Sequence, residues 1–201
     1  DIHFKKVSVG ATANSLMAAV LAEGESNIYN CAIEPEIQSF IDFLNEMGAQ
    51  IKGNGTSHLI INGVRSLKAI NTSMLSDRIE AGTFLIAGAI TGSEITVTNC
   101  VPNHLGEFFD KIKMTGCDFN IVGSRITIKP NGAILPVNIK TAPFPEYPTD
   151  LQAQFMALMS LAKGESIIEE GIFPDRFMHA AELNRLQANI SVEGNMARVR
   201  G

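Results

Sequence analysis

The sequence predicts an α/β fold built from a repeated βαβαββ unit, with helices packed inside small sheets. Two observations carry this. "MAAVLAEGESNIYNC" (17–31), "LIAGAITGSEITVTNC" (85–100) and "MALMSLAKGESIIEEG" (156–171) each read as an apolar helix, a glycine and an alternating strand, with Gly24, Gly92 and Gly164 spaced 68 and 72 residues apart. A second marker follows each: "NEMGAQIKG" (45–53), "KMTGCDFNI" (113–121) and "NRLQANISV" (184–192), with turns at Gly48, Gly116 and Gln187 spaced 68 and 71 residues apart.

The elements follow in order. A first strand is expected before each helix, at "FKKVSV" in the first unit, and the first helices are expected to end at Gly24, Gly92 and Gly164. In the second helix of the first unit, Ile37, Phe40, Ile41, Leu44 and Met47 share one face at helical spacing, and Leu105, Phe108, Phe109 and Ile112 repeat that face. Glycine just past a helix end suits a left-handed cap. "SHLIINGV" (57–64) and "SRITIKP" (124–130) are short β-rich closing strands. In the third unit Arg176 and His179 replace the apolar pairs Ile37/Phe40 and Leu105/Phe108. Either that helix faces a polar cleft or an interdomain contact, or it has rotated by one position.

Composition narrows the function. Forty-five per cent of the residues are hydrophobic, tryptophan is absent, and the net charge is −5. An acidic chain without a basic stripe argues against nucleic acid as a partner, since phosphate backbones are bound by clustered Lys and Arg. No apolar run reaches membrane-spanning length, so no membrane partner is expected. Cys31, Cys100 and Cys117 form no pair or metal-ligand cluster and read as free thiols, in keeping with a cytoplasmic protein. No metal site and no cofactor are implied.

Aligning the glycines makes Gly10, Arg78 and Asp150 equivalent at the start of each unit's first helix, and likewise Ser8, Ser76 and Pro148. The chemistry changes there while the scaffold repeats. Helix N-termini carry unpaired N–H groups and partial positive charge, so several aimed at one place would attract a phosphate or carboxylate. "KKVSVGAT" (5–12) reads as a strand-to-helix turn, where Gly10 admits a ligand to the backbone and Lys6 and Ser8 add a cation and a hydroxyl. In "IEPEI" (33–37), Glu36 suits helix capping, while Glu34 is a candidate for a cleft. In "SDRIEAGTF" (76–84), Ser76 or Asp77 caps, and Arg78 either serves a site or pairs across an interface. In "FPEYPTDLQAQF" (144–155), Thr149 or Asp150 caps. A carboxylate there would be held ionised by the helix end and could accept a proton from an attacking alcohol.

"KVSVGAT", "EPEI", "FLNEMGAQIKGNGT", "DRIEAGTFLIAGAI", "APFPEYPTDLQAQFMAL" and "FPDRFMHAAELNRL", in that order along the whole chain, resemble the UDP-N-acetylglucosamine 1-carboxyvinyltransferase family of enolpyruvyl transferases. The resemblance implies two domains of three βαβαββ units each, the inside-out α/β barrel fold, with the active site between them. It implies that 1–75 is the last unit of one domain and 76–201 two units of the other, joined by a strand near 70–77. It implies transfer of an enolpyruvyl group from phosphoenolpyruvate to the 3-hydroxyl of UDP-N-acetylglucosamine, with release of phosphate, in the first committed step of peptidoglycan synthesis. By motif match Lys6, Val7, Ser8, Val9 and Gly10 would contact the UDP-sugar. Asp150 would accept the hydroxyl proton, Ile172 would contact the nucleotide through its backbone, and Arg176 would support the closed cleft. The family's cysteine proton donor and its phosphoenolpyruvate-binding Lys and Arg match nothing here, so the chain looks like part of a longer protein and is not expected to turn over alone. The competing readings are a 3-phosphoshikimate 1-carboxyvinyltransferase, the related RNA 3′-terminal phosphate cyclase, and a non-catalytic scaffold of the same fold.

Overall fold

Short strands bury alternate residues, and their pairing sets the architecture. The computed structural model describes residues 1–201 and divides into two units, Asp1–Leu75 and Ser76–Gly201.

In the first unit, β1 (Ile2–His3), β2 (Glu25–Tyr29), β4 (His58–Asn62) and β3 (Gln50–Lys52) form one sheet in the order β1-β2-β4-β3. β1 runs parallel to β2, and the other pairs are antiparallel. Ile28, Ile51, Leu59 and Ile61 point inward against α1 (Val9–Ala19) and α2 (Pro35–Glu46), which contribute Leu16, Ile37, Ile41 and Leu44. Pro35 opens α2, where its missing N–H costs nothing. Gly48 follows α2 at φ 104°, as its position predicts.

The second unit holds two further repeats. α3 (Arg78–Thr91), α4 (Gly106–Met114) and the sheet β5-β7-β6 (Ile95–Val97, Arg125–Lys129, Asp118–Val122) form one; α5 (Gln152–Met159), α6 (Met178–Arg185) and the sheet β8-β9-β11-β10 form the other. In this last sheet β8 (Ile139–Lys140) pairs parallel to β9 (Glu165–Glu169), which pairs antiparallel with β11 (Met196–Arg200), which in turn pairs with β10 (Asn189–Glu193). Its order copies that of the first unit. α3 and α5 pack directly: a Cβ on Gly82 would lie 2.6 Å from Leu151 Cδ1, and Gln154 Nε2 donates to Thr83 Oγ1 at 2.9 Å. One continuous core, including Leu85, Ile86, Phe108, Tyr147, Phe155 and Met156, spans both repeats.

Several expected details differ. The first strand is Ile2–His3, and "FKKVSV" instead bends at Lys5-Lys6 and delivers Ser8 as the α1 cap. No strand forms over 70–77 and the middle sheet has three strands, so the second repeat lacks its expected first strand. The polar run Asn71-Thr72-Ser73 offers no alternating apolar face to bury. Only Gly92 (φ 65°) caps its helix. Gly24 and Gly164 lie beyond α1 and α5, and the end of α1 is closed by the returning chain, with Val64 N donating to Val20 O (2.9 Å) and Gly63 N to Gly24 O (3.0 Å). No helix is long and apolar enough to cross a membrane.

Candidate functional site

The start of α5 and the loop before α6 meet at a buried carboxylate. Pro148, at φ −72°, leads into a 3-10 turn, Thr149–Leu151, that runs into α5. No side chain caps it, so neither Thr149 nor Asp150 is the cap the sequence suggested. Both side chains are drawn elsewhere. The Thr149 hydroxyl donates to Glu170 Oε2 at 2.8 Å, and Asp150 Oδ1 accepts from Arg176 Nη1 at 2.7 Å. Arg176 Nη1 also donates to Thr149 Oγ1 at 3.1 Å, and its guanidinium carbon lies 5.5 Å from the centre of the Phe173 ring. The ion pair is open to solvent, with the Asp150 and Arg176 side chains 55% and 41% exposed. Arg176 holds the carboxylate through Oδ1.

Glu170 is fully buried. Its Oε1 accepts from Thr141 Oγ1 (2.5 Å), Ile172 N (2.9 Å) and Phe173 N (3.1 Å), and its Oε2 accepts from Thr149 Oγ1 (2.8 Å) and Gln152 Nε2 (3.4 Å). Burial pushes the carboxyl pKa up, but the hydrogen bonds from Thr141, Ile172, Phe173 and Thr149 together outweigh it and hold the group below the usual 4.5. Gly171 lets the chain turn here: a Cβ would lie 2.3 Å from Thr141 O. The Ile172 N–H is therefore committed to Glu170, which leaves the carbonyl for the backbone contact expected of this residue.

α6 begins only at Met178, so Arg176 lies in the preceding turn, with its N donating to Phe173 O at 2.9 Å. Phe177 and Ala180 are buried, and Leu183 packs against the same core. Phe177 thus supplies the apolar contact one position after the one Ile37 and Leu105 occupy, and Arg176 is released towards Asp150. From residue 180 onward the helix keeps register: Asn184 clamps Ile190 N and O (2.9 and 2.8 Å) as Asn45 clamps Ile51 N and O (2.9 and 3.0 Å). His179 is half-buried, and burial first, then the Arg176 charge, lower its pKa below 6.5.

The other candidates fall in different places. Lys6, Val7, Ser8, Val9, Gly10 and Glu34 belong to the first unit. Ser8 caps α1, accepting from Ala11 N at 3.2 Å, and Lys6 and Gly10 are exposed. Val7 and Val9 pack against the first-unit core. Glu34 is only 7% exposed, at the α2 N-terminus. Asp77 is the α3 cap, accepting from Ile79 N (2.7 Å) and Glu80 N (3.1 Å), so its carboxylate is engaged. Arg78 lies over the Phe144 ring at 5.7 Å. Asp77, not Ser76, precedes α3, so Arg78 is the first helical residue, whereas Gly10 and Asp150 are second in their turns. The sequence reading missed Glu170, Thr141 and Gln152. Glu170 stands where the sibling units carry buried cysteines, Cys31 and Cys100, each preceded by an asparagine at φ 61° that the third repeat lacks, so the glycine register alone did not single it out.

Comparison with known proteins shows the family and the fold. The profile of EPSP synthase (3-phosphoshikimate 1-carboxyvinyltransferase) matches residues 1–201. The UDP-N-acetylglucosamine 1-carboxyvinyltransferases of Desulfosudis oleivorans and Chlorobaculum parvum are 48% and 49% identical over 201 residues, all of this chain. The chain spans about half the length of these relatives, 48% and 47%. The crystal structure of the enolpyruvyl transferase NikO from Streptomyces tendae superposes with a TM-score of 0.86 at 23% identity, covering 96% of this chain and 46% of that one, a likeness of fold. Matched from its first residue to its last, the chain belongs to the EPSP synthase family and has the α/β fold of an enolpyruvyl transferase.

Proposed function

We infer that the full-length protein transfers an enolpyruvyl group from phosphoenolpyruvate to the 3-hydroxyl of UDP-N-acetylglucosamine, releasing phosphate, as a cytoplasmic step of peptidoglycan synthesis that serves cell-wall growth, shape and division. The observation that carries this is the 48% identity along the whole chain to relatives bearing that name. Asp150 supports it with a half-exposed carboxylate whose Oδ1 is held by Arg176. In this reading Asp150 takes the proton of the 3-hydroxyl as its oxygen bonds to C2 of phosphoenolpyruvate, and the methylene carbon gains a proton from a donor outside residues 1–201. Loss of phosphate together with a proton from that methyl carbon then restores the double bond. A carboxylate is a weak base, so proton removal accompanies bond formation. Lys6 to Gly10, Ile172 (through its carbonyl) and Arg176 bind the UDP-sugar.

Phosphate release by the full-length protein tests this. Turnover is expected with UDP-N-acetylglucosamine and none with 3-phosphoshikimate, the acceptor of the enzyme for which the family is named; the opposite preference would replace one reading with the other. Asp150→Asn should lower kcat by roughly a hundredfold to ten-thousandfold while calorimetry still detects sugar-nucleotide binding. Full activity in that variant would remove Asp150 from the mechanism.

A further inference from the structure

We propose that Glu170 is a positioning residue, whose buried carboxylate ties the turn carrying Asp150 to the loop carrying Arg176 and fixes the direction of the hydrogen bonds between them. Its catalytic consequence rests on the transfer reading above.

Five donors converge on this one side chain. They come from the segment after β8 (Thr141), the 3-10 turn (Thr149), the first residue of α5 (Gln152) and the loop before α6 (Ile172 and Phe173). An ionised carboxylate only accepts. Thr149 must therefore spend its single proton on Glu170, which leaves its oxygen lone pairs to accept from Arg176 Nη1 at 3.1 Å. Thr141 is polarised the same way, donating to Glu170 and accepting from Gly171 N at 2.9 Å. Gln152 adds a second link, donating to both Glu170 Oε2 and the Arg176 carbonyl (3.1 Å). A directed chain Arg176→Thr149→Glu170 results, and Arg176 Nη1 is shared between Thr149 and Asp150 Oδ1.

The scaffold does not need a charge here. Sibling units place the buried, neutral Cys31 and Cys100 at this position: their N–H groups donate to Ser57 O and Ser124 O (both 2.9 Å) as Glu170 N donates to Asn195 O (2.8 Å). Burying a carboxylate is costly unless its hydrogen bonds are complete, so a neutral side chain would be the cheaper structural solution. Glu170 is kept at the one repeat whose flanking segments carry Asp150 and Arg176.

Glu170→Gln is nearly isosteric and reverses one link. The backbone N–H groups of Ile172 and Phe173 cannot turn, so the amide oxygen must stay with them and the amide nitrogen must face Thr149 and Gln152. Thr149 then accepts from residue 170 and presents its proton towards Arg176, donor against donor. In the full-length protein, with UDP-N-acetylglucosamine and phosphoenolpyruvate, kcat should fall about tenfold to a hundredfold, the scale of a misplaced reacting group. Amide hydrogen exchange over 149–152 and 172–177 should accelerate. Adding Glu170→Gln to Arg176→Ala should cost little more than Arg176→Ala alone, because both break one chain; a merely structural role predicts multiplied losses. If Glu170→Gln does not fold, Thr149→Val cuts the same link, leaves the carboxylate its other donors, and should show the same lack of additivity with Arg176→Ala. A kcat within twofold of wild type, unchanged exchange, or multiplied losses would each overturn the proposal. Should the wild-type protein release no phosphate from these substrates, the transfer reading fails by itself, and unchanged exchange in the two segments would still overturn the positioning role.

Discussion

The carboxylates of Glu170 and Asp150 show how neighbours sort residues of like charge. Glu170 is buried and saturated with donors, whereas Asp150 is half exposed and held by one guanidinium. Because hydrogen bonding depresses the Glu170 pKa below 4.5, its ionised form favours the folded state. That contribution is complete above the unfolded value and is lost as pH falls through the folded one. Wild-type stability should therefore drop on acidification below about pH 4.5, more steeply than that of Glu170→Gln, in urea titrations read across pH. The exposed Asp150–Arg176 pair should matter little to stability, about 0–1 kcal/mol, so Asp150→Asn separates chemistry from folding. Gln187 shows the reverse case, a side chain where the backbone wants none. It sits at φ 72°, where the sibling turns use Gly48 and Gly116. Gln187→Gly should stabilise the second unit by about 1 kcal/mol, read as a higher denaturation midpoint; no gain would mean that this turn relaxes without strain.

At the level of elements, the helix starts decide what each repeat offers. α1 and α3 are capped by their own side chains, Ser8 and Asp77. α5 gives up its cap, and the side chains of Thr149 and Asp150 turn to Glu170 and Arg176 instead. Asp77→Ala should cost about 1 kcal/mol through loss of the cap and should leave sugar-nucleotide affinity unchanged; a large loss of affinity would restore Asp77 to a binding role. α6 gives up its first turn, which frees Arg176 while Phe177 keeps the apolar contact. Both departures fall in the third repeat, the one whose sequence at 176 and 179 breaks the apolar pattern.

At the level of the whole molecule, the two units carry separate cores. In the second unit α3 and α5 pack closely, and the core runs through both repeats without a break. Phe155 is fully buried at that junction, with its ring 5.5 Å from Tyr147. Phe155→Ala should cost about 3–5 kcal/mol, and hydrogen exchange should show both repeats of the second unit opening together. Independent opening of residues 78–129 would mean that the shared core does not couple them.

The repeat, the α/β class and the apolar helix faces were legible in the sequence, because glycine spacing and helical periodicity are local signals. Ile37, Ile41, Leu44, Phe108, Phe109 and Ile112 all lie inside, as their spacing requires. Asp150 and Arg176 could be singled out from sequence, one by repeat alignment and family resemblance, the other by a break in pattern. Their pairing could not, since it joins positions 26 residues apart through a turn and a late-starting helix. Glu170 was hidden for the same reason: it directly follows β9 and reads as one more step of that strand, and its five donors are scattered from residue 141 to 173. Sequence by itself determined which units repeat and where the repeat changes chemistry. Only the tertiary structure decided that those changes converge on one buried charge, because burial and hydrogen-bond completion are properties of packed neighbours rather than of the order of residues along the chain.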